Sequence, residues 1–202
     1  TSTNSSIGLI YALKKIFMKV KRILFLGYKK KDTKLIKFLR DKNIIVIENG
    51  QKPLKIGKMA DYDFVLSFGY NKKIKKEILK CLYRPAINLH LSYLPYNRGS
   101  DPNYWSFKNN TPSGVTIHEI DKNLDTGNII FRKKIMFKNI KNLTLKKSYW
   151  ILRKEIQKLF ILNYKKILNY SYKSFKSRGK GSYHKKNDLP KNISWDFKVT
   201  EL

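Results

Sequence analysis

Asn88-Leu-His90 sets an amide and an imidazole two positions apart inside the apolar run Ala86–Leu91, which reads as a β-strand. Strand alternation turns both side chains to one face. Further along, Asp125 stands directly before Thr-Gly in Asp121–Asn128, a loop joining two more strand-like runs. A carboxylate there can approach an imidazole presented by a neighbouring strand. Amide, imidazole and carboxylate form a working set for acyl transfer to an amine. As the amine attacks, a tetrahedral oxyanion develops, to which Asn88 can donate a hydrogen bond. His90, when protonated, can stabilise the same charge and shuttle a proton. Asp125 can orient the ring, favour its charged form and help remove the amine proton. The substrate amine is its own nucleophile, in keeping with the lack of a reactive cysteine or a Gly-x-Ser-x-Gly elbow near these residues. Taken singly, an Asn-x-His pair is more often structural and Asp-Thr-Gly is often a turn. Their conjunction carries the reading. His118 reads as a packing or supporting residue, and His184, in a basic tail, as a surface residue.

The surrounding elements explain how such a set would be held. Arg22–Leu26, Ile44–Ile47, Phe64–Phe68 and Ala86–Leu91 are short, continuous apolar runs; Gly27 and Gly69 end the first and third. Helical spacing separates them, over Asp32–Lys42 (Leu35, Phe38, Leu39) and Ile74–Leu82. This alternation predicts a parallel sheet covered on both faces. A helix over Asp101–Asn109, strands over Gly114–Ile120 and Ile129–Ile135, and a long amphipathic helix over Thr144–Leu168 complete the expected order. The tail from Ser171 is basic and polar until Ile193-Ser-Trp-Asp-Phe. The expected class is α/β: a Rossmann-like, mostly parallel open sheet with helices on both faces, in one domain from residue 18 to 202. Met18-Lys-Val-Lys-Arg reads as a natural start running into the first strand, which makes residues 1–17 an extension outside the fold. In such sheets ligands bind at the carboxyl ends of strands, where Asn88 and His90 fall. Pro95 and Gly99 then impose a turn-rich loop.

Bulk properties narrow the alternatives. The 202 residues suit one sizeable core. A single cysteine, Cys81, excludes an internal disulfide and a thiol metal cluster, and fits a reducing, cytoplasmic setting. No apolar run reaches bilayer-spanning length, so membrane insertion is not expected. Neither Gly-x-Gly-x-x-Gly nor Gly-Lys-Ser/Thr is present, and no metal site is expected. Net charge is +30. One reading of it is a polyanionic partner. The favoured one is compositional, because lysines accompany abundant Ile, Asn and Tyr along the whole chain.

The motifs Asn88-x-His90-x-Ser-x-Leu-Pro, Arg98-Gly99, Gly114-Val-Thr-Ile-His and Leu124-Asp125-Thr-Gly, with 125 − 90 = 35 positions from imidazole to carboxylate, resemble in order and spacing the N10-formyltetrahydrofolate-dependent formyltransferases. The likeness covers about residues 20–136. It implies transfer of a formyl group from N10-formyltetrahydrofolate, with Asn88, His90 and Asp125 as the catalytic set. It also implies folate between two segments that match Phe68-Gly69-Tyr70-Asn71 and His118-Glu119-Ile120-Asp121 through Leu124, contacted mostly by backbone.

Three substrate classes compete within that resemblance. Methionyl-tRNA formyltransferases carry a further nucleic-acid-binding domain, for which the stretch after Ile135 is too short. Glycinamide ribonucleotide formyltransferases carry a Gly/Ser/Asn-rich phosphate loop where this chain has Leu26-Gly-Tyr-Lys-Lys-Lys-Asp. The stretch Tyr93–Phe107, Thr111–His118 and the late Gly181-Ser-Tyr-His are most like the short nucleotide-sugar N-formyltransferases. That likeness implies a nucleotide-linked amino sugar as substrate, and a role in surface polysaccharide such as lipopolysaccharide. Tyr93, Tyr96, Asn103, Tyr104 and Trp105 would then stack on or hydrogen-bond sugar and base, with Arg98 or a lysine meeting the diphosphate. For Trp105, packing of its own helix is an equal alternative. The family uses chain after the catalytic domain to form a homodimer; its shortness here leaves the assembly open. A reading of another class also stands: a non-catalytic, basic RNA-binding protein on the same fold, although nucleic acid is not the expected partner.

Overall fold

A computed structural model describes residues 19–202. The expected extension over residues 1–17 lies outside the described residues. The chain forms two compact units, one comprising residues up to Ile87 together with Asn163–Tyr172, the other Asn88–Leu162 and Lys173–Leu202. A single domain was expected from length.

In the first unit, β1 (Arg22–Gly27) pairs in parallel with β2 (Ile45–Gly50) and with β3 (Phe64–Phe68). β1 and β3 are buried almost throughout, as strands covered on both faces must be. Helices α1 (Leu35–Arg40) and α2 (Lys76–Lys80) are shorter than their apolar spacing predicts. α1 buries Leu35, Ile36 and Leu39, whereas Phe38 lies outside the buried set and meets Tyr164 edge-on. The buried Arg84 donates to the Leu168 carbonyl, one of the last carbonyls of a long helix (α4, below), which have no partner within the helix itself.

Gly27 shows why β1 ends where it does. Its φ is +96°, and a Cβ there would lie 2.0 Å from the Phe68 carbonyl oxygen. Gly27→Ala is therefore expected to destabilise the protein by at least about 3 kcal/mol, from left-handed strain added to a clash with backbone. Urea unfolding measures it, and a midpoint equal to wild type would refute the close approach.

In the second unit, β4 (Ile87–His90) leads into β5 (Arg98–Gly99), α3 (Pro102–Lys108), β6 (Gly114–Glu119), β7 (Ile129–Lys134), α4 (Leu145–Leu168) and β8 (Tyr183–His184). The strand order of the sheet is β2-β1-β3-β4-β6-β7; β5 and β8 form a separate parallel pair. β6 and β7 are antiparallel, so the sheet is mostly parallel with one antiparallel edge. α4 turns Leu145, Ser148, Leu152, Ile156 and Phe160 inward at three- and four-residue spacing, all 3% exposed or less. Each such large apolar side chain contributes about 1.5–3 kcal/mol by leaving water.

The tail is more structured than its composition implies. Phe175 bridges to Ile129, and Thr144 to Lys198. Val199 is buried with Tyr104, Leu143 and Leu145. Trp105, Leu189, Ile193 and Phe197 pack around that cluster.

Candidate active site

β4 delivers Asn88 and His90 to its carboxyl end, and β6 delivers His118 to its own. The β6–β7 register slips between Ile117 and His118. Such an irregularity re-aims a side chain, and here it falls on the imidazole. Asp125 comes from the β6–β7 loop with φ +53°. Aspartate is among the few residues other than glycine that adopt this left-handed backbone readily.

The four side chains meet. His90 Nε2 lies 3.7 Å and His118 Nε2 3.4 Å from the Asp125 carboxylate. The Asn88 amide nitrogen is 3.2 Å from His118 Nε2 and 3.3 Å from Asp125 Oδ1. The Gly99 N–H donates to Asp125 Oδ2 at 2.8 Å. His118 Nδ1 faces the Glu119 carbonyl at 2.7 Å, and its Nε2 faces the Asn88 amide and the Asp125 carboxylate. Asn88 thus donates to Asp125 and lies against the His118 ring. Donation to an oxyanion, as read from sequence, requires the amide to leave one of these partners. His118 Nε2 thus lies within 3.4 Å of both Asn88 and Asp125.

His90 Nε2 faces two oxygens, that of Asp125 and the Asn97 carbonyl at 3.3 Å. A neutral ring therefore carries its proton on Nε2 and leaves Nδ1 as the acceptor. Burial disfavours the imidazolium most. Asp125 opposes that burial effect, His118 reinforces it, and the Asn97 carbonyl opposes it weakly; the balance lies below an ordinary histidine. At neutral pH this direction favours an uncharged resting ring. It is set to take a proton. For Asp125, burial pushes the carboxyl up, but His90, His118 and the Gly99 N–H together outweigh it and hold the group far below the usual carboxylate range.

Both shifts have one sign for stability. A histidine depressed in the fold contributes fully above about pH 6.5 and opposes folding as pH falls below it. A depressed aspartate contributes above its unfolded value and is lost as pH falls through the folded one. Stability is expected to decline from about pH 7 to 4, and His90→Asn to flatten the upper part of that decline. Urea midpoints across the range decide it. An identical slope in wild type and variant would exclude His90 as the titrating group.

The other sequence-predicted contacts belong to both units. Phe68, Gly69, Tyr70 and Asn71 lie in the first unit. Gln51 donates to the Gly69 carbonyl and accepts from the Asn71 N–H. Tyr70 donates to the Lys52 carbonyl, and burial raises its pKa. In the second unit, Asp121 accepts from Thr126 and from the Asn123 N–H, shaping the loop. Glu119 accepts from the Asn128 amide. Ile120 is half-buried. Leu124 is 43% exposed beside the nearly buried Asp125 carboxylate. Tyr96 accepts from Ser92 through its carbonyl. Arg98 Nε donates to the Ser182 carbonyl. Tyr93 lies under the Arg132 guanidinium, 4.5 Å from its ring centre.

Two of the sugar-contact expectations, Asn103 and Tyr104, are corrected by burial. Asn103 is buried and spends both amide hydrogens on the Leu145 carbonyl and Ser148 Oγ, fastening α3 to α4. Tyr104 lies inside the apolar cluster with Leu145 and Val199. Trp105 stacks on His184, ring centres 4.0 Å apart and planes 6° apart, with both residues half-buried.

The formyl transferase family profile matches residues 39–161. Over 89% of this chain and 96% of the other, the fold superposes on the formyltransferase PseJ from Anoxybacillus kamchatkensis with a TM-score of 0.81 and 37% identity. An N-formyltransferase from Helicobacter canadensis, 23% identical, shares the fold with a TM-score of 0.71 over 87% of this chain and 74% of that one. A methionyl-tRNA formyltransferase of Thermodesulfovibrio yellowstonii is 40% identical over 79 residues, 39% of this chain. That alignment spans only 26% of the longer relative. The chain belongs to the formyl transferase family.

Proposed function

We propose that the protein transfers a formyl group from N10-formyltetrahydrofolate to the amine of a nucleotide-linked amino sugar. The chemistry rests on one observation: Asn88, His90 and Asp125 converge within 3.3–3.7 Å at the carboxyl ends of sheet strands. The substrate class is supported by the similarity to PseJ, solved with UDP-4,6-dideoxy-4-formamido-L-AltNAc and tetrahydrofolate. We infer a 4-amino sugar on a nucleoside diphosphate.

The residues fit such a donor. Leu124, a 43% exposed leucine beside a buried carboxylate, offers an apolar ledge for a flat heteroaromatic ring. Ile120, Asp121 and Leu124 would border it. When bound, the donor supplies an electrophilic formyl carbon and leaves as an amine. His90 Nδ1 takes the proton released as the substrate amine forms its new C–N bond. Asp125, held by the Gly99 N–H, stabilises the imidazolium so formed. The same ring can return that proton to the departing nitrogen. Asn88 donates to the developing oxyanion once its amide exchanges one of its two partners. The product is an activated formamido sugar, which a glycosyl transfer would consume, in keeping with a place in surface polysaccharide synthesis.

The test is to incubate the purified chain with N10-formyltetrahydrofolate and a panel of amines, and to read product mass. The panel holds nucleotide-linked 4-amino and 3-amino sugars, glycinamide ribonucleotide and charged initiator tRNA. Formylation of the tRNA alone would move the substrate to the class of the Thermodesulfovibrio relative and leave the chemistry in place.

A further inference from the structure

The segment Gly181-Ser182-Tyr183-His184 lies beyond the part of the chain that the family profile matches, residues 39–161. Nevertheless it is built into the catalytic loop. β8 runs parallel to β5, Tyr183 opposite Arg98 and His184 opposite Gly99. The Arg98 N–H donates to the Ser182 carbonyl, and the Ser100 N–H to the His184 carbonyl. Two glycines allow the approach. A Cβ on Gly181 would lie 2.1 Å from the Pro95 carbonyl oxygen, and one on Gly99 2.3 Å from that of His184.

The Ser182 hydroxyl brackets Asn97. It accepts from the Asn97 N–H at 2.8 Å and donates to the Asn97 side-chain oxygen at 3.0 Å. Asn97 is fully buried with φ +54°, and its amide nitrogen donates to Thr111. Its remaining backbone group, the carbonyl, faces His90 Nε2. A second path runs from β8 through Gly99, whose N–H holds Asp125. One short strap thus touches the supports of both the imidazole and the carboxylate.

We propose that residues 181–184 complete the active site from outside the family's common segment, and that Ser182 is a positioning residue for His90, acting through Asn97. This deepens the formyl-transfer reading and rests on it for the kinetic readout only. The charged and polar groups facing His90 are Asp125 from the β6–β7 loop, His118 from β6 and the Asn97 carbonyl. Of these, Asn97 answers to the strap most directly. Its carbonyl favours the imidazolium, so loosening it makes the ring harder to protonate.

The experiment uses the full chain as wild type, Ser182→Ala, Ser182→Cys and Ser182→Thr. The His90 ring is followed by NMR through a pH titration with no donor or acceptor present, and formylation kinetics are measured alongside. Ser182→Ala is expected to lower the His90 midpoint. It should lower kcat about 10- to 100-fold, the scale of a small misplacement, with KM for both substrates within about twofold. Threonine, which keeps the hydroxyl, should restore both. Cysteine, close to serine in shape, serves if alanine prevents folding, and should behave as alanine does. A wild-type His90 midpoint in the alanine or cysteine variant would overturn the proposal, as would kcat unchanged in both. If no amine in the panel is formylated by wild type, the formyl-transfer reading fails, and the NMR arm still decides whether the strap positions His90.

Discussion

Replacing His90 with glutamine should reduce turnover by about 10²–10⁴-fold, the usual contribution of a positioned acid–base group. The glutamine amide can still donate to the Asn97 carbonyl, so the loop after β4 keeps its anchor. What it cannot do is accept a proton at neutral pH. His90 is buried, and burial disfavours its charged form, so in the proposed reaction it is a base whose loss should fall on kcat and on kcat/KM alike. KM for the proposed sugar nucleotide should change little, because in the proposed reaction His90 acts on the reacting amine rather than on the sugar or nucleotide. The acid limb of the wild-type kcat/KM profile should lie below the midpoint of a free imidazole and be absent from the residual activity of the variant. Steady-state kinetics on a variant with a wild-type urea midpoint checks this. Near-normal turnover would make the imidazole structural.

Asp125→Asn should cost about 10²–10³-fold, the scale of losing one preorganised electrostatic partner. Asparagine tolerates the φ of +53°, so the loop is expected to keep its backbone. The new side chain replaces a four-acceptor group by one carrying two donors. Asn88, the Gly99 N–H and His90 all face this carboxylate as donors, so the amide nitrogen must oppose one of them. The imidazolium formed during turnover also loses its counter-charge. The acid limb of kcat/KM is therefore expected to move to still lower pH than in wild type. An unchanged limb with reduced kcat would show that Asp125 only orients the ring.

Much of this arrangement is legible in the chain before folding. The runs Arg22–Leu26, Phe64–Phe68 and Ala86–Leu91 are short and mostly apolar, and their length and alternation with helical spacing point to doubly covered strands. Asn88 and His90 share a face because β-structure alternates, and the loop position of Asp125 follows from the strands on either side. What is not legible depends on distant partners. Phe175 and Leu189 stand singly among polar residues, and Ile193, Phe197 and Val199 alternate with polar ones as a strand would, although the chain there forms turns and one short helical turn. Their partners lie far back in the chain: Ile129 for Phe175, Tyr104 and Leu145 for Val199. The same separation stacks Trp105 on His184 and turns Asn103 and Tyr104 inward. An aromatic stretch that reads as a ligand surface is one only if no later segment covers it. His118 is a similar case, since its place in the site depends on a register slip that periodicity does not encode. The engaged amide of Asn88 and the disfavoured charge on His90 follow from burial and neighbours, which sequence spacing leaves open.

The most direct measurement is product mass after incubating the chain with N10-formyltetrahydrofolate and the proposed nucleotide-linked 4-amino sugar, with His90→Gln run in parallel. The account expects the wild type to add one carbonyl unit to the sugar nucleotide and release tetrahydrofolate in equal amount, and the variant to do neither on the same timescale. Wild type and His90→Gln forming product at equal rates would contradict it. So would a wild type that formylates none of the amines offered while its folded state is intact.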